Sequence, residues 1–282
     1  MSLWPCLAVT PVALHAGNPG PMTGAGNWTW LIPGRVPTLI DAGVGMPNHL
    51  DALESALGGA RLAQVLVTHG HSDHVSGAPA IAARMPSARF LKHLWPGRDE
   101  RWNVPWVPIA GDDRIETGET TVTALHTAGH APDHLCFWHA ESRTLFGGDL
   151  AIEDSTVWIP SSHGGDLHAY LLSLERVLAL NPSRILPAHG PIIEDPNALL
   201  TSYIAHRRKR ERQVIEALRS GDSTADEIVA RIYSRLGDEI RARAVETVVA
   251  HLRKLELDGL VRRGDEAWHI MTEGYVNGDR PS

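Results

Sequence analysis

Four side chains of the types that bind metal ions lie close together in the first third of the chain. His69, His71, Asp73 and His74 fall within six residues, directly after the apolar segment 64–67. A buried strand that ends in such a run delivers several ligands to one point at the edge of a sheet, and imidazole nitrogen and carboxylate oxygen are ligands that suit zinc. The run therefore predicts a metal centre.

Three more candidate ligands, His130, Asp149 and His189, follow the ends of later apolar segments. None of these positions is a cysteine, which argues against a closed structural site of the cysteine-rich type. The chain has 16 histidines, so chance can supply one pair, but not this order of ligands at strand ends. The set is large enough for two zinc ions per chain. We expect one ion on His69, His71 and His130, the second on Asp73, His74 and His189, and Asp149 as the bridge between them.

Metal ligands of this kind predict hydrolysis. Two zinc ions about 3.5–4 Å apart can share a water, lower its pKa toward about 7 and present it as a bridging hydroxide, which Asp73 would orient as the catalytic side chain. The sequence has no Gly-x-Ser-x-Gly motif that would supply a serine nucleophile instead. The proton donor for the leaving group stays open: His163 lies on a loop beyond Asp149 and could reach the cleft, although a surface position is the commoner case. His134 and Asp133 could orient the ligands or cap a strand.

Tryptophan usage suggests contacts to substrate. The chain has 9 Trp against 3 Phe. Trp106 lies in a proline-rich loop together with Trp95 and Trp102, and Trp158 follows Asp149 by nine residues. Their rings could line the cleft mouth and grip an apolar or base-like group. Core packing is an equally good interpretation for the loop residues.

These motifs resemble those of the metallo-beta-lactamase superfamily. The resemblance rests on the His-x-His-x-Asp-His run, the Gly-His at 129–130, the Gly-Asp at 148–149 and the Ala-His-Gly at 188–190. Segments 18–23 and 203–207, with the tail that follows, resemble the lactamase-beta-2-like proteins, which append a winged helix to the hydrolase. The resemblance covers about residues 17–270. It implies an α/β fold, a four-layer αβ/βα sandwich with the metals in a cleft at one edge of the sheets.

The pattern of elements agrees with two domains. Strand and helix patterns alternate in residues 1–195, the expected catalytic domain, whereas residues 196–282 read as three helices and a short hairpin, the order of a winged-helix domain. The expected strands are 28–32, 38–41, 64–68, 121–127, 134–138, 144–147 and 184–186. The expected helices are 47–57, 77–85, 166–180 (with Asp166 as N-cap), 197–220, 224–236 and 239–257.

Composition favours an enzyme without a membrane segment. The chain has 282 residues, is 43% hydrophobic and contains no run near the ~18 apolar residues of a membrane helix. The apolar opening, 3–16, has no preceding Lys or Arg and is interrupted by prolines, so we read it as a first strand pair rather than a signal peptide. Two cysteines, Cys6 and Cys136, suggest core packing and a reducing, cytoplasmic setting.

Charge separates the tail from the body. Residues 201–264 contain 14 Lys plus Arg against 10 Asp plus Glu, a balance of +4, within a chain of net charge −7. The basic side chains could attract the phosphates of nucleic acid, although a solvated helix face is the commoner meaning of such a run. The candidates are Arg207, Arg208, Lys209, Arg210, Arg262 and Arg263. The winged helix could equally form a homodimer surface or one wall of the cleft.

Three functions follow from the sequence. The first is hydrolysis of a small acyl substrate, a thioester, lactone or ester, which the superfamily resemblance implies. The second is endoribonuclease action on single-stranded RNA, which the resemblance to lactamase-beta-2-like proteins and the basic tail suggest. The third is a non-catalytic nucleic-acid-binding module, against which the complete ligand set argues. One hydroxide could attack either a carbonyl or a phosphorus, so the sequence leaves the first two unresolved.

Overall fold

The structure is a computed structural model that describes residues 10–153, 155–233, 237–265 and 267–271. Two mixed sheets form the catalytic body. The first contains Val12–His15 (β1), Trp28–Ile32 (β2), Thr38–Ile40 (β3), Gln64–Leu66 (β4), Arg89–Lys92 (β5) and Trp106–Pro108 (β6). Its spatial order is the chain order; β1 to β3 are antiparallel neighbours and β3 to β6 are parallel.

The second sheet follows in the chain. It contains Arg114–Thr117 (β7), Thr120–His126 (β8), Leu135–His139 (β9), Thr144–Gly148 (β10) and Arg184–Pro187 (β11). Its order is β11-β10-β9-β8-β7, with β10 and β11 parallel and the other pairs antiparallel. The helices of the body are Pro47–Leu57 (α1), Ser72–Val75 (α2), Ala78–Arg84 (α3) and Leu167–Leu180 (α4).

Alternating side chains build the four layers. Along β2 to β5, one set of side chains, which includes Ile40 and Leu66, packs against the second sheet, where it meets Phe137 and Phe146. The intervening set, which includes Leu39 and Val65, packs against α1 and α3. These strands are therefore apolar on both faces, as strands covered on both sides require. The second sheet is covered in turn by α4, so the αβ/βα architecture implied by the resemblance is confirmed.

The tail forms a winged helix on a long shared helix. Its elements are Pro196–Arg219 (α5), Ala225–Ile232 (α6), Asp238–Leu257 (α7) and a hairpin of Val261–Arg263 (β12) with Trp268–Ile270 (β13). Thr224 and Glu227 form a capping box that starts α6. The first half of α5 packs into the core of the catalytic body, and its second half packs into the core of the winged helix. The two units are therefore held by one continuous helix.

Most of the expected elements lie within one or two residues of their observed bounds, and Asp166 caps α4 through Ala169 N at 3.0 Å. The sequence patterns missed β5, β6 and β7. Of the expected opening strand pair, β1 is present, and residues 1–9 lie outside the described part of the chain. Residues 234–236 of the expected helix 224–236 also lie outside it. Cys136 is buried as expected. In the described ranges, no helix is long and apolar enough to cross a membrane.

Candidate metal centre

The seven predicted ligands converge at one edge of the two sheets. His69 lies just beyond β4, and the short helix α2 that follows carries Asp73 and His74. His130 lies in the turn between β8 and β9, whereas Asp149 and His189 follow β10 and β11. Parallel strand ends meet at the same edge of a sheet, which explains why residues far apart in the chain arrive at one place.

The first group consists of three imidazoles. The Nδ1 atom of His71 lies 3.0 Å from His69 Nε2 and 2.9 Å from His130 Nε2. Nitrogens on a tetrahedral zinc with bonds of about 2.0–2.1 Å would be separated by roughly 3.3 Å. One ligand atom from each residue lies within 4.8 Å of the others. The three side chains thus suit one metal ion.

The second group consists of Asp73, His74 and His189, and Asp149 lies between the groups. Oδ2 of Asp73 is 3.5 Å from His74 Nε2 and 3.3 Å from His189 Nε2. Oδ1 of Asp149 lies 3.4 Å from both of these nitrogens, whereas its Oδ2 lies 3.4 Å from His130 Nε2 in the first group. One carboxylate therefore presents one oxygen to each group, the arrangement of a bridging ligand.

The chemistry of this donor set fits metal ions. Among the described residues, buried His74 Nε2 and Asp149 Oδ1 have no hydrogen-bond partner, which is costly for buried polar atoms unless another ligand satisfies them. Burial, with the neighbouring imidazoles, lowers the pKa of His71 to about 3, so this ligand is neutral at physiological pH. Burial lowers the pKa of His74, but Asp73, Asp149 and Asp41 raise it well above its usual value. The three carboxylates thus favour a positive charge beside His74, which a metal ion would supply.

Partners outside the cluster orient three of the candidate ligands, His74, Asp73 and His130. Asp41 Oδ2 accepts a hydrogen bond from His74 Nδ1 at 2.8 Å, and Asn27 Nδ2 donates to Asp73 Oδ2 at 3.1 Å. His130 Nδ1 donates to the carbonyl oxygen of Trp158 at 2.8 Å. Such partners fix which ring nitrogen faces the metal. Sequence reasoning missed Asp41 and Asn27. Asp41 directly follows β3, the strand that pairs with β4.

Of the two residues proposed to support the ligands, only His134 does so directly. Its Nε2 accepts a hydrogen bond from the backbone N–H of Asp149 at 3.1 Å. Asp133 instead accepts a bond from buried Lys92 Nζ at 2.9 Å, and Asp99 binds the same ammonium through both oxygens at 2.7 Å. Oδ2 of Asp99 also accepts from the backbone of Trp95 at 2.6 Å. This buried ion cluster anchors the Trp95 loop.

The tryptophans of the proline-rich loop have different surroundings. Trp106 packs edge-on against Phe90 with 6.1 Å between ring centroids and donates from Nε1 to the Asp99 carbonyl, so its ring belongs to the core and not to the cleft mouth. These contacts argue against the expectation that Trp106 contacts substrate, which stays a prediction. Trp95 is the ring near the ligands, with its centroid 6.4 Å from that of His71. Periodicity could not separate the two, because Trp95 lies in a loop and Trp106 begins a strand of only three residues between prolines.

Trp158 and His163 lie on a segment that the winged helix contacts. Trp158 is half-buried, and its carbonyl holds His130 as described. His163 is exposed at the end of the 3-10 turn Ser161–His163, and its Nδ1 lies 2.8 Å from Ser162 Oγ. Glu246 of α7 accepts hydrogen bonds from Ser161 Oγ at 2.7 Å and Ser162 N at 2.9 Å. The winged helix thus fixes the turn that carries His163.

The basic residues of α5 are less available than the sequence suggested. Arg207 is only 5% exposed and donates to the Val157 carbonyl, so we remove it from the candidates for nucleic-acid contact. Arg208 forms an ion pair with Glu175 at 2.8 Å. Arg210 stacks on the Tyr233 ring, 4.3 Å from its centroid. The charge run on this helix therefore serves packing and local pairing in part.

A four-layer αβ/βα sandwich with a His/Asp cluster at the sheet edge is the architecture of a metal-dependent hydrolase. The chain belongs to the metallo-beta-lactamase superfamily, whose sequence model matches residues 22–189. A second model, that of the beta-lactamase associated winged helix domain, matches residues 224–268. Members of the superfamily are hydrolases that bind metal ions, which agrees with the ligand geometry.

Individual relatives support the same assignment over nearly the full length. The chain is 31% identical to a Caenorhabditis elegans beta-lactamase-like protein 2 homolog, covering 96% of this chain and 90% of the relative. It is 32% identical to an atrochrysone carboxyl ACP thioesterase of Aspergillus novofumigatus, covering 86% and 78%. A beta-lactamase domain protein from Burkholderia ambifaria has the same fold, with a TM-score of 0.79, 20% identity and coverage of 96% and 93%.

Proposed function

We propose that this protein is a di-zinc hydrolase of a small acyl substrate, with a thioester as its foremost candidate. The position of Asp149 carries the proposal, because its two oxygens face two separate groups of ligands at 3.4 Å. A single tetrahedral ion could not use seven ligands. A non-catalytic nucleic-acid-binding module would have no need of them.

Zinc ions, when bound, supply a hydroxide near neutral pH and polarise the oxygen of the scissile carbonyl. One ion would be held by His69, His71 and His130, and the other by Asp73, His74 and His189. Asp149 would hold both ions. Asn27 restrains the Asp73 carboxylate, which positions it to orient the attacking water. Hydrolysis forms the bond from the water oxygen to the acyl carbon and breaks the bond from that carbon to the leaving atom.

The leaving group favours a thioester over an ester. A thiol has a pKa of about 8.5, so a thiolate departs with little help from an acid, whereas an alkoxide needs a proton donor. His163, the sequence-based candidate for that donor, is exposed and bonded to its neighbour Ser162. The similarity to a protein named as an acyl carrier protein thioesterase supports the same choice.

The test compares substrates on the wild type and on His71→Ala, loaded with zinc. We expect thioester turnover by the wild type and a loss on the order of 10³ or more in the variant, which should remain folded because His71 lies in the cleft and not in the core. Lactone, ester, phosphodiester and single-stranded RNA complete the panel. Cleavage of RNA with no turnover of any acyl substrate would replace the proposal with the endoribonuclease.

A further inference from the structure

A cavity of about 260 Å³ lies between the winged helix and the catalytic body. One side is the segment 156–158, and the other consists of residues from α5 and α7 and of Tyr233, which directly follows α6. Five of its lining side chains are guanidinium groups or aromatic rings. They are Arg207, Arg210, Arg243, Trp158 and Tyr233. A cavity with this lining suits an anionic group on an apolar or planar arm.

The positive charge of this cavity has no acidic partner among the residues that the structure describes. In the described part of the chain, none of its three arginines has a carboxylate oxygen within 4.0 Å. Arg207 is only 5% exposed, and a guanidinium buried to this degree normally has an acidic partner. That of Arg207 instead donates to a backbone carbonyl and lies over the Tyr170 ring. Burial lowers the pKa of His206, and Arg207 and Arg210 lower it further. The cavity is thus electropositive.

The cavity is linked to both groups of candidate ligands through the segments that hold them. The Trp158 carbonyl, on its wall, holds His130 of the first group of ligands. Arg243 Nη2 lies 2.9 Å from Met22 Sδ, and the same loop ends at Asn27, which holds Asp73 of the second group. The Arg243 guanidinium also lies 6.0 Å from the Trp158 ring centroid. Arg243 therefore lies against both the loop that leads to Asn27 and the segment that holds His130.

We propose that this cavity binds a phosphate group on the leaving-group arm of the substrate, as in a thioester of phosphopantetheine. The inference rests on the proposed thioester hydrolysis and names the substrate class. Phosphate oxygens match the paired N–H donors of Arg210 and Arg243. The rings of Trp158 and Tyr233 would pack against the arm that joins the phosphate to the sulfur. The winged helix then acts as a wall for substrate recognition.

Two substrates that differ only in the phosphate provide the test: S-acetyl-4′-phosphopantetheine and S-acetylpantetheine. We compare the zinc-loaded wild type with the double variant Arg210→Ala/Arg243→Ala. We expect the KM for the phosphorylated thioester to rise roughly 10-fold or more per lost arginine, with kcat and all constants for the unphosphorylated thioester little changed. The matched control is Arg212→Ala/Arg219→Ala, which removes the same charge from exposed positions of α5 and should alter neither substrate.

Several results would overturn the inference. Equal KM values of the wild type for the two thioesters, or an equal effect of the double variant on both, would refute a phosphate site while leaving thioester hydrolysis intact. If the wild type hydrolyses neither thioester, the proposed function fails instead. The site is then judged by calorimetry of 4′-phosphopantetheine binding to the wild type, where absence of binding refutes it and phosphate-dependent binding supports it. Should the double variant not fold, Arg243→Gln alone tests the exposed arginine.

Discussion

Replacing Asp41 with asparagine should weaken one metal ion and spare the other. Asp41 is 3% exposed, and its Oδ2 accepts a hydrogen bond from Nδ1 of fully buried His74 at 2.8 Å. Its Oδ1 accepts from Thr68 N at 2.7 Å. An asparagine can keep the Thr68 bond through its carbonyl oxygen, which turns its NH₂ group toward His74. Nδ1 must then become an acceptor, and the ring proton moves to Nε2, the atom proposed to bind metal.

The expected magnitude follows from this contact. Loss of a partner that orients a ligand costs about 10–100-fold in metal affinity, or about 1.4–2.7 kcal/mol. The Asp41 bond is fully buried, so solvent screens it little and the upper part of that range applies. The affinity of the Asp73/His74/His189 group should fall, whereas that of the His69/His71/His130 group should change by less than about 3-fold.

Zinc titration against a chromophoric chelator measures both affinities in the wild type and the variant. Thioester turnover should decline at limiting zinc and recover largely when zinc is in excess. Asp51→Asn is the matched control, since it makes the same chemical change in an exposed ion pair with Arg84. Two unchanged zinc affinities in Asp41→Asn would refute the role given to this carboxylate, and an equal loss at both sites would refute the division into two groups.

Three further changes test other parts of the structure. Asp149→Ala should weaken both ions together in the same titration, because this carboxylate faces both groups; loss of one ion alone would make it a ligand of a single site. Lys92→Met should cost about 3–5 kcal/mol in urea unfolding, since two buried carboxylates lose their cation. Burial raises the pKa of Asp133 even though Lys92 lowers it, and loss of Lys92 should raise it further. The loss of unfolding free energy should therefore be larger at pH 8 than at pH 5, where the carboxyl can hold a proton. An equal loss at both pH values would contradict this. Glu246→Ala, which removes the acceptor, should speed hydrogen exchange at the Ser162 amide, and unchanged exchange would mean that α7 does not fix this turn.

The convergence of the candidate ligands could be predicted from the sequence because they are side chains of a distinctive type that follow apolar strands. Of the residues that contact them, His134 could be predicted in the same way, whereas Asp41 and Asn27 could not. Asp41 acts through the alignment of β3 with β4, which a single sequence does not reveal. Lys92 ends β5 and is fully buried, and its charge broke the apolar pattern from which a buried strand is predicted. Only the fold brings Asp99 and Asp133 to its ammonium group. The basic run of α5 suggested an exposed charged surface, but Arg207 in that run is buried.

The most direct test of the dinuclear hydrolase combines metal content with activity. Protein stripped by a chelator is titrated with zinc, and at each step elemental analysis and the kcat/KM for an acyl thioester are measured on the same sample. The account predicts saturation at two ions per chain, with hydrolysis rising as the second ion binds. Full activity in metal-free protein, or saturation of both metal content and activity at one ion per chain, would contradict it.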